Sequence, residues 1–192
     1  MGNLTWQQVL DPFPKSIGTA KTTFTSYQDV AGVVSDPSSL PYSEPGDLKR
    51  GTKIQCEAYG EFSTTGTPTL QIGGIYGATP AAAGGTAFAQ SAAITTGSGA
   101  AAWMWHWNAW GLITQIGTSG TIVISGILDL GTSLTAVAAS PAPVTAAART
   151  VTIDTTVRKS WGLGAAWGTS SASNSITVYG FRVEIMNQGL TG

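Results

Sequence analysis

Few residues in this chain could carry chemistry. The sequence holds one histidine, His106, and one cysteine, Cys56. That excludes an intrachain disulfide, a zinc site built from several His or Cys, and a His-based triad unless His106 supplies its base. Acid/base work would fall to four Glu and six Asp. Asp129 and Asp154 lie inside runs that read as strands, and paired across a sheet they could imitate a glycosidase dyad. Solubilising a sheet edge, or an ion pair with Arg149 or Arg158, is the simpler role for both. G-x-S-x-G, GKS/T phosphate-loop and His-Glu zinc motifs are missing from the sequence. The expectation is a non-enzymatic protein with no catalytic residues, no cofactor and no metal, calcium on Asp side chains and loop carbonyls being the residual metal possibility.

The stretch around which the chain is organised is Ala101 to Leu112, where Trp103, Trp105 and Trp107 alternate with Met104, His106 and Asn108. Successive strand side chains point to opposite faces, so this spacing lines three indoles on one surface. A buried indole removes roughly 150–250 Å² from water, worth up to about 4–6 kcal/mol before entropy is subtracted. Trp110 breaks the parity and joins Met104, His106 and Asn108, which predicts a bulge or strand end between Asn108 and Gly111. A row of Trp can stack on sugars or on bases, or it can be core or subunit interface. Its neighbours are Ala100, Ala101, Ala102 and Ala109, and no Lys or Arg stands between Lys53 and Arg149. Core or trimer interface is therefore the favoured role for Trp103, Trp105 and Trp107, with glycan contact second and nucleic acid last for want of basic charge.

The elements that must position these residues follow from composition and rhythm. Charged residues make up 10% of the 192 and the net charge is −1, against about 25% charged in a typical soluble protein. Such a surface has no attraction for nucleic acid or anionic membrane and suits an assembly that hides it. No apolar run reaches about 18 residues, and Met1 opens a polar segment without signal-peptide character. Residues 1–51 read as an extended arm: prolines at 12, 14, 37, 41 and 45 discourage a self-contained sheet. Within the arm, Leu4, Trp6, Val9, Leu10, Phe13, Phe24 and Tyr27 are too apolar for a free tail. Lys49, Arg50 and Lys53 read as a solvated turn, with contact to an acidic partner as the sharper alternative.

From Thr52 the pattern becomes strand, turn, strand. Thr52 to Phe62 alternates, with Ile54, Cys56, Ala58 and Phe62 on one face, and Cys56 reads as a small buried apolar residue. Thr69 to Tyr76 carries Gly73-Gly74, which marks a bulge or a close backbone approach. Thr86 to Thr95 reads as one strand. Thr121 to Leu130 is apolar on both faces, with Val123 and Ile127 opposite Ile122, Ile124, Leu128 and Leu130, so Val123 and Ile127 are candidates for core or trimer interface. Residues 131–148 read as a long Ala/Pro/Ser connection. Arg149 to Val157, Ser160 to Trp167 and Ser175 to Asn187 complete the strands, the last with Tyr179, Phe181, Val183 and Ile185 on one face. The expected fold is all-β: an antiparallel β-sandwich of jelly-roll type over 52–187, with an extended N-terminal arm and a frayed tail at 188–192.

Several patches resemble a known family. Gly60-Glu-Phe-Ser-Thr-Thr-Gly-Thr-Pro-Thr-Leu70, Ala93-Ile-Thr-Thr-Gly-Ser-Gly99, Gly117-Thr-Ser-Gly120, Ala148-Arg-Thr-Val-Thr-Ile-Asp-Thr-Thr156 and Trp167-Gly-Thr-Ser-Ser-Ala-Ser-Asn-Ser-Ile176 are similar to virion proteins of tailed phages infecting actinobacteria, in particular the jelly-roll capsid-decoration or head-fibre type. The resemblance spans about Gly60 to Ile176. It implies a homotrimer on the capsid exterior whose partner is the phage major capsid protein, with no nucleic acid or membrane partner. On that basis Leu4, Trp6, Val9, Leu10 and Phe13 are candidates for capsid attachment, the alternative being that the arm wraps its own trimer. A tail or baseplate adhesin that binds host cell-wall glycan through an aromatic surface is the second functional class.

Overall fold

The computed structural model describes residues 6–10, 19–33, 36–133 and 135–187. They form an antiparallel β-sandwich of two packed sheets. The large sheet has the order β1 (Trp6–Leu10), β14 (Ser175–Asn187), β5 (Lys53–Ser63), β9 (Trp103–Gln115), β10 (Gly120–Ser133) and β11 (Ala136–Ala142), with β12 (Thr150–Ile153) also on β10 and β2 (Lys21–Thr22) on β14. The small sheet has the order β3 (Gln28–Asp29), β13 (Lys159–Trp167), β6 (Thr69–Tyr76) and β7 (Thr86–Phe88), with β4 (Tyr42–Ser43) on β13 and β8 (Ile94–Thr95) on β6.

Period-two alternation builds the core. In β5, Ile54, Cys56, Ala58 and Phe62 point inward; in β10, Ile122, Ile124, Leu128 and Leu130 do so; in β13, Trp161, Leu163, Ala165 and Trp167. Between the sheets the aromatic rings meet in two groups. Phe62 touches Trp103 and Trp167 at centroid distances of 6.2 and 6.4 Å. Phe88 touches Trp107 and Trp161 at 6.2 and 5.6 Å, and Trp161 lies against Tyr76 at 4.8 Å. Apolar area of this size is the main favourable term of the fold.

Several local expectations are corrected. β9 runs straight through Asn108 to Gly111, with Trp110 paired to Gln55 and Ser125; the register shift with β10 comes later, between Gln115 and Ile113. Trp110 is simply the outward member of an unbroken alternation. Of the two roles expected for Gly73-Gly74 the close backbone approach holds: pairing with β13 stays in register without a bulge, a Cβ on Gly73 would come within 2.6 Å of the Gln90 backbone, and Gly74 gives room to the Phe88 ring. Thr86 to Thr95 is two short strands, because Ala89 takes a positive φ of 44° and turns its carbonyl toward Trp107. Residues 131–148 contain β11, which pairs with β10 through Ala136 to Ala142. Its Ala- and Pro-rich sequence hides the strand, and Pro141 is tolerated at a sheet edge. In β14 the register shifts between Val178 and Gly180, so Tyr179 leaves the face shared by Phe181, Val183 and Ile185.

Much of the segment set apart by its prolines is woven into the sandwich. Phe24, Val30, Ala31, Leu40 and Leu48 are buried in the common core. Asp29 is fully buried, and its carboxylate accepts N–H groups of Gly32 (2.7 Å), Leu163 (3.2 Å), Ala31 (3.4 Å) and Ala81 (3.4 Å). Pro41 gives its carbonyl to the Trp161 N–H at 2.7 Å. Pairing of one or two residues at a time needs no long proline-free run, which is how proline-rich chain joins a sheet here. Leu4, Phe13 and the tail 188–192 lie outside the described residues, and for Trp6, Val9 and Leu10 the strand pairing with β14 is what is described.

Candidate functional site

The indole row divides. Trp105 and Trp107 are fully buried between the sheets, and Trp103 is partly buried against the same core. Trp105 donates from Nε1 to the Glu61 carbonyl at 3.2 Å and Trp107 to the Ala89 carbonyl at 3.0 Å, so both rings have satisfied N–H groups. These residues are core. Val123 and Ile127 lie on the opposite, outer face of the large sheet, 42% and 38% exposed.

That outer face is the candidate site. Residues of the outward parity in β5, β9 and β10 make it, and the pairing sets its rungs. Met186, Lys53, Leu112, Val123 and Thr150 form one rung, and Glu184, Gln55, Trp110 and Ser125 form the next. Then come Arg182, Glu57, Asn108 and Ile127, followed by Tyr59, His106 and Asp129, and finally Glu61 with Met104. Met104, Trp110 and Leu112 are 55%, 53% and 40% exposed. Exposed apolar residues scattered singly need no explanation, but a contiguous set on one flat face does. A groove of about 530 Å³ opens among Lys53, Trp110, Leu112, Val123, Arg149 and Met186.

A charged ladder crosses the middle of the face. Glu57 meets His106 Nε2 at 3.2 Å and Arg182 at 3.4 Å, and Arg182 also meets Glu184 at 3.0 Å. The two Glu57 pairs are half-exposed and contribute about 0–1 kcal/mol each, whereas Glu184 is buried. Asn108, between the ladder and Ile127, keeps a buried Oδ1 without a hydrogen-bond partner. Tyr59 lies over Gly180, where a Cβ would come within 2.5 Å of its ring.

The carboxylate pair does not assemble. Asp154 follows β12, whose Ile153 faces Gly120, while Asp129 stands nine residues further along β10. At about 3.3 Å per residue the separation is on the order of 30 Å, well beyond the roughly 5–9.5 Å of a glycosidase dyad. Asp154 instead accepts the N–H and hydroxyl of Thr156 at 2.9 and 2.7 Å, which holds its carboxyl below the usual range. Nor do the two pair with arginine among the described residues: Arg158 meets Glu44 at 3.6 Å and lies 3.5 Å from the centre of the Tyr42 ring. Lys49, Arg50 and Lys53 are solvated, as their sequence suggests. Among the described residues no three His, Cys, Asp or Glu side chains converge, and no helix is long and apolar enough to cross a membrane.

Met104, Trp110, Leu112, Arg149 and Met186 are the site residues that the sequence reading left out. The signal was present for three of them, since Met104, Trp110 and Leu112 share a parity within β9; what covers a given parity is a property of the whole chain. Comparison with known proteins finds no matching family model, no matching curated protein and no matching solved structure.

Proposed function

We propose that this chain is a non-enzymatic structural protein of a phage virion, a capsid-decoration protein that docks as a homotrimer on the major capsid protein. The observation that carries the reading is the outer face of the large sheet, where Trp110, Leu112, Val123 and Ile127 stand exposed together on a chain of very low charge. A contiguous apolar face of this kind marks an interaction surface. The resemblance of Gly60 to Ile176 to decoration and head-fibre proteins supplies the virion and the capsid partner. Six crossings of the chain between the two sheets support jelly-roll winding within this reading. The test is sedimentation of the full chain at micromolar concentration, followed by co-sedimentation with capsids assembled from the candidate phage's major capsid protein. A trimer that pellets with capsids is expected; a monomer that stays in the supernatant overturns the proposal.

A second reading, an adhesin for cell-wall glycan, draws on one feature. Trp110 has Gln55 and Ser125 directly beside it, an exposed ring with hydrogen-bonding neighbours. Saturable quenching of Trp fluorescence by peptidoglycan fragments, lost in Trp110→Ala, would favour this reading over the capsid role.

A further inference from the structure

The outer face is electrically lopsided along its strands. Lys53 and Arg149 flank the groove at one end, and Arg50 stands beside Leu112 at the same end. Glu61, paired with Met104, and Asp129, paired with His106, lie toward the other end. None of these five takes part in an ion pair among the described residues, whereas the charges between them, Glu57, His106, Arg182 and Glu184, are bound to one another. Lys53 and Glu61 are eight residues apart on one strand, about 26 Å at roughly 3.3 Å per residue. That is about three Debye lengths at physiological salt, so the two ends do not neutralise each other within one copy.

We infer that this face is a self-association surface that packs head to tail, the Lys53–Arg149 end of one copy meeting the Glu61–Asp129 end of the next. The inference rests on the trimer reading above and adds the surface and the orientation. Met104, Trp110, Leu112, Val123 and Ile127 on this face are each 38–55% exposed. A standard interface takes roughly 800 Å² from each partner, so the charged ends and the ladder between them must take part along with the apolar residues. A second copy is the occupant that matches the charge. Complementary ends on one surface make a two-fold contact when both meet the same neighbour; when each end meets a different neighbour the contact is heterologous, and such contacts close into rings. In a three-membered ring this orientation requires the strands to run across the threefold axis. Strands running along the axis would gather three copies of Lys53 and Arg149 at one end, and like charges in contact oppose association.

The experiment is zero-length carbodiimide cross-linking of the full chain, with the linked peptides of the trimer band mapped by mass spectrometry. A Lys53–Glu61 or Lys53–Asp129 link is expected, and the intrachain separation makes either one intermolecular. In parallel, Lys53→Glu with Arg149→Glu should weaken assembly at least tenfold. Adding Glu61→Lys and Asp129→Lys to that variant should restore it. All four side chains are exposed or half-exposed, so unchanged circular dichroism melting verifies folding in each variant. A wild-type trimer without these links, unmoved by either reversal or strengthened by the first, overturns the orientation and leaves the trimer reading standing. A wild-type monomer or two-fold dimer overturns both.

Discussion

Gly73 and Gly164 stand directly opposite each other across β6 and β13, and their missing side chains make the slot in which the Tyr27 ring lies. A Cβ on Gly73 would come within 2.8 Å of the Tyr27 hydroxyl, and one on Gly164 within 2.6 Å of the same atom. The slot faces away from the core side of β13, where Trp161, Leu163 and Ala165 are buried. It lets the N-terminal segment lie flat on the small sheet, bringing Asp29 to the N–H of Leu163.

Gly164→Ala should therefore lift Tyr27 and loosen the segment behind it. Overpacking of this kind costs typically about 1–3 kcal/mol. Gly66→Ala, where a Cβ meets nothing within 4 Å, is the control and should be near neutral. Urea midpoints of the two variants decide; equal midpoints would contradict the slot.

Trp107→Phe keeps most of the apolar volume but removes the donor to Ala89, a bond that joins β9 to the turn after β7 across the two sheets. Leaving a buried acceptor short of its partner costs about 1–3 kcal/mol. Trp107→Ala should cost about 3–5 kcal/mol through the cavity it opens. Denaturant titration that finds the Phe variant as stable as the wild type would argue against the hydrogen bond as a separate contribution.

Asp29 should make stability depend on pH in an unusual sense. Burial pushes its carboxyl up to about 6 from 3.8, against the pull of the backbone N–H groups of Gly32, Ala81, Ala31 and Leu163. The folded chain thus holds a proton that the unfolded chain releases between these values. The stability from this group is fully present below about pH 3.8 and is lost as pH rises through about 6. Asp29→Asn removes that dependence. The wild-type advantage over the variant, measured by urea unfolding from pH 4 to 7, should shrink as pH rises; a flat difference would show that the N–H groups hold the pKa near its ordinary value.

Cys56 is fully buried, and burial pushes its thiol up. The thiolate is the reactive form, so native protein should resist maleimide and disulfide reagents. One equivalent should label after unfolding, followed by mass. Rapid labelling of native protein would mean that β5 opens locally.

The sequence by itself determined the alternation of β5, β9 and β10 and the burial of Cys56, Trp105 and Trp107. A strand with one dry face carries that fact in its own period of two, with no reference to its neighbours. Other features depend on contacts far away in the chain. The break at Ala89 exists because Trp107 reaches its carbonyl, β11 because β10 offers a free edge to an Ala- and Pro-rich segment, and the anchoring of Asp29 because a glycine-lined strip of β13 lies beneath it. Trp110 shows the division most clearly. Its parity was legible in the sequence, but only the tertiary structure decided that no layer covers the face it joins among the described residues, because burial of an outward residue is set by which other segments fold over it.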